Sequence, residues 1–411
     1  MIKKLLFSFS LLSYSTVSFA SEVSYLPPPE MVERALDNYP IYQQATQNIE
    51  TSRAQADSLR MGPHELTLGG SYTRRQISGL GNFGEYDATL SRGLRIRGKA
   101  RLDREAGQIG VALAENIAED ARHQTALLLK QVWMDWLLTS ETQAIRQENV
   151  NIHRKALAAL EKRRQLNDAS DLDVGLARSA METSLSTLAL AQGSEKLARE
   201  AITANFPEII VPPRAPRLPT PDRPENMQKW AQLVLSRSHE ITIAEKEAKQ
   251  LDVQARRSQL DKYADPTIGL RLFHEQGGDE TGFGLTVSVP IGVKQRSAVA
   301  ARDNSKAKAA QYAAAYTRRE INLIAQRDVQ RVANTYRSWQ SAVTALDSSR
   351  FVIEKIRRSY ELGAHDYTGL VLAEQQYLQS EEAEALTRHN AHNAWLQLRI
   401  DAHELWLENV H

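Results

Sequence analysis

In two windows of this chain, apolar and polar residues alternate strictly. In the first, Leu66, Leu68, Gly70 and Tyr72 alternate with Glu65, Thr67, Gly69 and Ser71, and a second run sets Tyr86, Ala88 and Leu90 against Asp87, Thr89 and Ser91. In the other window, Ile268, Leu270 and Leu272 alternate with Gly269 and Arg271, followed by Phe283, Leu285, Val287 and Val289 against Gly284, Thr286 and Ser288. Period two predicts strands with one apolar and one polar face. A barrel wall between lipid and water needs that pattern, and a half-buried soluble sheet gives the same signal. Around the strands, Lys99 to Leu166 and Gln295 to Leu362 are rich in Ala, Leu, Glu, Gln, Lys and Arg, all strong helix formers. Each tract reaches about 100 Å at helical rise. A helix of that length must pack lengthwise against others, as in a coiled-coil tube.

Proline and glycine divide the chain in the same way. No proline falls between Pro63 and Pro207 or after Pro290, whereas prolines cluster between Pro207 and Pro224, where an extended linker is expected. Most glycines lie in Gly62 to Gly110 and Gly269 to Gly292, the strand windows. The chain therefore reads as two copies of one unit: helix, strand, strand, very long helix, short break, helix. The expected division is a first repeat over 21–207, a Pro-rich linker over 208–224 and a second repeat over 225–411. Gly62-Pro63 matches Asp265-Pro266, and LNDASDLDVGLA (Leu166 to Ala177) matches LGAHDYTGLVLA (Leu362 to Ala373). The first hairpin is expected to have the longer loop.

The first twenty residues carry Lys3 and Lys4, an apolar run from Leu5 to Tyr14 and small residues at Ser18 and Ala20. This is the layout of a signal peptide over 1–20, and it implies export. The absence of cysteine removes disulfides, thiolate metal sites and a lipid-bearing N-terminal cysteine. With 51 basic and 50 acidic residues, no global field points to nucleic acid as a partner. No later stretch reads as a transmembrane helix, so membrane residence would have to come from β-strands. Three motifs carry little weight. Gly79-Leu80-Gly81-Asn82-Phe83-Gly84 matches a phosphate-loop pattern but sits within a hairpin, where it reads as an external loop. His389 and His392, with His403 further along, lack a convergent third ligand, and no metal, cofactor or catalytic site is assigned. No catalytic triad spacing, zincin motif or phosphate loop in proper context supports an enzyme.

Four antiparallel strands cannot close a barrel, and open edges in lipid are forbidden, so several copies must combine. Three copies would supply twelve strands. Over essentially the whole mature chain the sequence resembles the TolC family of outer-membrane efflux proteins. The segments that carry the resemblance are NYPIYQQA (Asn38 to Ala45), LSRGLRIRGKARLDREA (Leu90 to Ala106), LTVSVPIGVKQRSAVAARDNSKA (Leu285 to Ala307) and the two helix-tip motifs above. The RGKARLDREA run and ADPTIGLRLF (Ala264 to Phe273) look most like the heavy-metal, CzcC-like branch. The resemblance implies a mainly α protein with a small transmembrane β part: a homotrimer with a twelve-stranded β-barrel in outer-membrane lipid and a long periplasmic coiled-coil α-barrel. It also implies a periplasmic adaptor and an inner-membrane RND-type pump as partners, with heavy-metal cations or small toxic compounds as cargo. A periplasmic adaptor protein is the rival reading, but it should carry one helical hairpin rather than a doubled pattern.

Within such a family the short breaks mark periplasmic tips that close the tunnel. Asp168, Asp171 and Asp173 lie at the first tip, where in an oligomer they form carboxylate rings or simply cap a helix. The family's tip-aspartate position is Asp173 in the first copy and Gly369 in the second, with Asp366 three residues earlier. Leu362-Gly363 and Gly369 let the chain turn and a partner approach. His365 lies at the second tip, and Arg163, Arg164, Arg357 and Arg358 flank the tips as candidate salt-bridge partners.

Overall fold

The structure, a computed structural model, describes residues 25–222 and 225–407. The expected signal peptide lies outside the described residues. Helix α1 (Pro29–Asn38) leads into α2 (Pro40–Met61), and strands β1 (Leu66–Ile77) and β2 (Gly81–Gly93) form a hairpin. The long α3 (Lys99–Gln165) then turns back into α4 (Asp171–Asn205). The second half repeats the order with α5 (Met227–Arg237), α6 (His239–Asp261), β3 (Thr267–Glu275), β4 (Glu280–Ser288), the long α7 (Lys294–Glu361) and α8 (Tyr367–Asp401). Pro29 and Pro40 open their helices in the first turn, where a missing N–H costs nothing.

The four strands form one antiparallel sheet in the order β1-β2-β3-β4, so the pairing of β2 with β3 joins the two halves. Register aligns Leu68, Leu90, Leu270 and Leu285 across all four strands. All four are exposed, as are Tyr72, Tyr86, Leu272, Phe283 and Val287, which leaves a continuous apolar sheet face with nothing covering it. The opposite face is polar, and its charges pair in place: Arg75 with Glu85 at 3.2 Å, and Arg271 with Asp87. The outer edges of β1 and β4 are unpaired. The loop expectation needs correction. The extra residues of the first hairpin lengthen its strands to 12 and 13 residues, against 9 and 9 in the second. Gly81 to Gly84 therefore sit in β2 rather than in a loop, because alternate residues there still find ladder partners in β1.

Below the sheet, α3 and α7 run as the two long staves, each flanked first by a helix of its own half (α2, α6) and then by its returning partner (α4, α8). No helix among the described residues is long and apolar enough to cross a membrane. The main core forms a belt around the middle: Tyr25, Leu36, Leu129, Trp133, Trp136, Phe206, Leu396 and Ile400 are buried together. Each large side chain there contributes about 1.5–3 kcal/mol by leaving water. The segment after α4 is extended but strapped down rather than free. Ile209 and Leu218 enter the belt core. The carbonyls of Pro212, Leu218 and Pro219 accept hydrogen bonds of 2.9 Å from Arg199, Arg388 and His392. His389 donates to the Met134 carbonyl at 2.8 Å, and His392 accepts from Tyr25 Oη at 2.9 Å, so both serve the belt.

A collar of buried charge joins sheet to helices. Lys99, only 1% exposed, reaches Asp265 at 2.8 Å, Asp261 at 3.2 Å and the Tyr263 carbonyl at 2.7 Å. Arg95 caps the end of α2 through the carbonyls of Leu59, Arg60 and Met61, and pairs with Asp103 at 2.9 Å. Its guanidinium fills the place a side chain at Gly62 would take, which is why that turn carries glycine at φ +83°. Asp103 also takes Arg257 at 2.7 Å. Burial opposes the charge on Asp265, but bonds from His64, Lys99 and the Ile96 amide outweigh it and hold the carboxyl below its ordinary value.

Candidate functional site

At the far end from the sheet, both long helices stop and turn by the same device. Asn167 and Gly363 occupy the left-handed position just past the last helical turn, at φ +59° and +74°. Asn and Gly are the residues that tolerate it. Asp168 N bonds back to the Arg163 carbonyl at 2.8 Å and Asn167 N to that of Arg164 at 2.9 Å. Ala364 and Gly363 bond in the same way to Ser359 at 2.9 Å and Tyr360 at 3.0 Å. The returning helices are then capped by different chemistry at equivalent places. Ser170 caps α4, accepting from Asp173 N at 3.0 Å, while the Asp173 carboxylate accepts from Ser170 N at 3.2 Å and from its hydroxyl at 2.7 Å. In α8 the cap is Asp366 itself, which accepts from Gly369 N at 2.8 Å. The carboxylate has moved from the third helical position to the cap. A Cβ on Gly369 would meet His365 at 2.9 Å and the Asp366 carboxylate at 3.1 Å, so glycine makes room for this arrangement.

The remaining first-tip aspartates are paired within the protomer. Asp168 takes the Arg163 guanidinium at 2.8 Å, and Asp171 takes Arg164. Both pairs stand largely in solvent, where such contacts contribute little. Arg163 does more than hold Asp168, because its other arm donates to Tyr360 Oη at 3.0 Å and ties the first tip to the second. Beneath these contacts Leu160, Val174, Ala177, Ile353, Tyr367, Leu370 and Ala373 form a small core that packs the two hairpins together. Burial, reinforced by the charge of nearby Glu374, pushes Tyr367 up to about 12. Just above, the helices part around a space of about 260 Å³ lined by Arg350, Arg357, Glu374 and Glu381. Burial raises Glu374 above its usual value despite Arg357 at 3.5 Å, and lowers His153, whose Nδ1 lies 3.9 Å from the same carboxylate.

The predicted tip residues thus divide into two turns. Asp168, Asp171 and Asp173 share one, and Gly363, His365, Asp366 and Gly369 share the other; Arg163–Tyr360 and the apolar core bridge them. Among the described residues no trio of metal donors assembles at either tip. Sequence reasoning missed Tyr360, Tyr367 and Glu374. The one available signal was an aromatic flanking each side of the second break.

No family model matches the sequence, and no curated protein is similar to it. Solved structures do match. The outer membrane protein VceC of Vibrio cholerae is similar with a TM-score of 0.73 at 18% identity, over 91% of this chain and 95% of that one. The fold is that of outer-membrane channel proteins. The CmeC outer membrane channel of Campylobacter jejuni matches at a TM-score of 0.70 and 13% identity, over 97% of this chain and 94% of that one. The MtrE outer membrane channel of Neisseria gonorrhoeae, solved in an open state, matches at 0.66 and 17%, over 92% and 89%. At these identities the likeness is one of fold: long helical staves below a four-stranded antiparallel sheet.

Proposed function

We propose that this chain is one protomer of a trimeric outer-membrane efflux channel, conducting solutes passively from an inner-membrane pump of RND type and a periplasmic adaptor. The observation that carries the reading is the sheet: a bare apolar face, a polar face with internally paired charges, and two unpaired edges, set at one end of helices about 100 Å long. In lipid an unpaired edge costs several kcal/mol for each unsatisfied group. Three copies joined β1 to β4 supply twelve strands and leave no edge. The staves then continue the barrel as a tunnel that ends at the tips. Exposed Leu166, Leu172 and Leu362 at the tips offer an adaptor apolar contact points.

The tip contacts favour a closed resting state. Arg163 spans both hairpins, and the pairs around it are weak enough for a bound adaptor to exchange them for its own contacts. Heavy-metal cations are the proposed cargo, on the resemblance of the RGKARLDREA and ADPTIGLRLF segments to the metal branch; small organic compounds are the alternative. Carboxylates at Asp168, Asp171 and Asp173 would give the closed mouth a preference for cations.

The experiment is conductance of the purified protein in a planar bilayer, with Asp171→Ala, Asp173→Ala and Arg163→Ser beside the parent. The reading predicts small, cation-preferring steps, larger steps in Arg163→Ser, and weaker cation preference in the aspartate variants. Absence of steps under all conditions, from a protein that remains monomeric in detergent, would overturn it.

A further inference from the structure

The belt holds a side-chain cluster that the channel reading does not use. Asp120 and His123 stand three residues apart on α3, on neighbouring positions of one helix face. Glu240, in the first turn of α6, reaches them from the other half of the chain. One donor atom from each of the three lies within 4.8 Å of the other two. His403 and His239 stand beside them, their rings stacked at 4.6 Å, with the His403 ring 5.5 Å from that of His123. His123, Glu240, Asp401 and His403 line a cleft of about 280 Å³; Arg331, on the same cleft, is paired with Asp328 at 3.4 Å.

Two atoms in this cluster are left without partners. His123 is 5% exposed; its Nε2 is engaged by the Asp401 carboxylate at 3.1 Å, and its Nδ1 bonds to nothing. Oδ1 of Asp120 is also buried and unpartnered. Buried polar atoms are nearly always satisfied, so two orphans in residues of one cluster call for a ligand. An imidazole held at one nitrogen by a carboxylate, with the other nitrogen free, is the arrangement that orients a metal-binding histidine.

We propose that Asp120, His123 and Glu240 bind one divalent cation of the zinc class, with Asp401 orienting His123. One imidazole and two carboxylates suit Zn²⁺ or Co²⁺ better than the larger oxygen-seeking cations. Bonds of about 2.0–2.2 Å would draw the three donors to roughly 3.4 Å apart, a side-chain adjustment of about 1 Å. A fourth position opens on the cleft beside His403. Because the ligands come from α3 and α6, the cation ties the two halves of the chain at the belt. The inference does not depend on what passes through the tunnel.

The test is calorimetric titration of the chelator-stripped full chain in detergent with ZnCl₂, together with the visible spectrum after adding CoCl₂. The proposal predicts one Zn²⁺ per chain, and the intense spectrum of low-coordinate Co²⁺ with nitrogen and oxygen ligands. Glu240→Gln and Asp120→Asn should each weaken Zn²⁺ binding at least tenfold, and Asp401→Asn by roughly 10- to 100-fold. His365→Asn, at the tip, should leave it unchanged. The parent protein showing no stoichiometric Zn²⁺ binding, or binding undiminished in both Glu240→Gln and Asp120→Asn, would overturn it. The Co²⁺ spectrum on the parent protein decides the matter if those variants fail to fold: the weak spectrum of fully hydrated Co²⁺ would overturn the proposal. The titration involves neither membrane nor flow, so its failure and that of the channel reading are separate results.

Discussion

The collar under the sheet and the tip at the opposite end are both built from arginine, lysine and aspartate, yet they are opposite kinds of joint. At the collar the charges are buried and join distant parts of the chain. Lys99 meets Asp265, and Asp103 takes both Arg95 and Arg257. At the tip the pairs are local and wet: Arg163 with Asp168 five residues on, Arg164 with Asp171 seven residues on. Removing one partner of a buried pair strands a charge, whereas an exposed pair is readily exchanged for water or another protein. The same residue types therefore make a fixed joint beneath the sheet and a releasable one at the opposite end, as the proposed channel requires.

The comparison can be broken most sharply at Lys99. Lys99→Met leaves Asp265 without its lysine partner and should cost about 3–5 kcal/mol, read as a fall in the unfolding midpoint of the purified protein. A loss near zero would mean that the collar is as dispensable as a surface pair. Next in size are the caps. Ser170→Ala and Asp366→Ala should each cost about 1 kcal/mol, confined to the first turns of α4 and α8 and visible as faster amide exchange there. Their effects should be similar although the residues differ, because both hold the same backbone position. Smallest is Arg163→Gln, worth roughly 0.2–1 kcal/mol in stability. It should nevertheless loosen the link to Tyr360, so amide exchange should quicken at both tips and not at the collar.

Acid gives a second test of the collar. The Asp265 carboxyl is depressed in the folded protein, so on acidification the unfolded chain takes up that proton first. Its contribution is complete above the ordinary value of 3.8 and is lost as pH falls from there through the lower folded value. Unfolding midpoints measured across this window should drop, and Asp265→Asn should remove that part of the slope.

Much of this architecture is legible in the residues, for identifiable reasons. Strand residues 66–72 and 283–288 announce themselves because one face is apolar and the other polar, which imposes period two. Asp after a break marks a helix start in sequence, and Asp173 and Asp366 do both serve helix caps, the first by closing the Ser170 capping box and the second as the cap itself. The two segments that suggested a metal branch prove to touch each other, since Lys99 of one binds Asp265 of the other; their clearest structural role is the collar. What stayed hidden depends on distant contacts. Arg163 and Tyr360 are 197 residues apart, and nothing local marks them as partners. Likewise Glu240 shares no motif with Asp120 and His123, and nothing in the sequence places His403 beside His123. The longer first hairpin was misread because glycine-rich residues 81–84 look like a loop until a neighbouring strand offers them hydrogen bonds.

The central claim is that the four-stranded sheet is one third of a closed wall. The chain has no cysteine, so a cysteine at Ser71 in β1 and a second at one of several positions along β4, including Thr286 and Ser288, give a clean readout on oxidation. The account predicts that at least one such pairing yields covalent trimers and nothing larger. Monomers from every pairing, or a ladder running past the trimer, would contradict it.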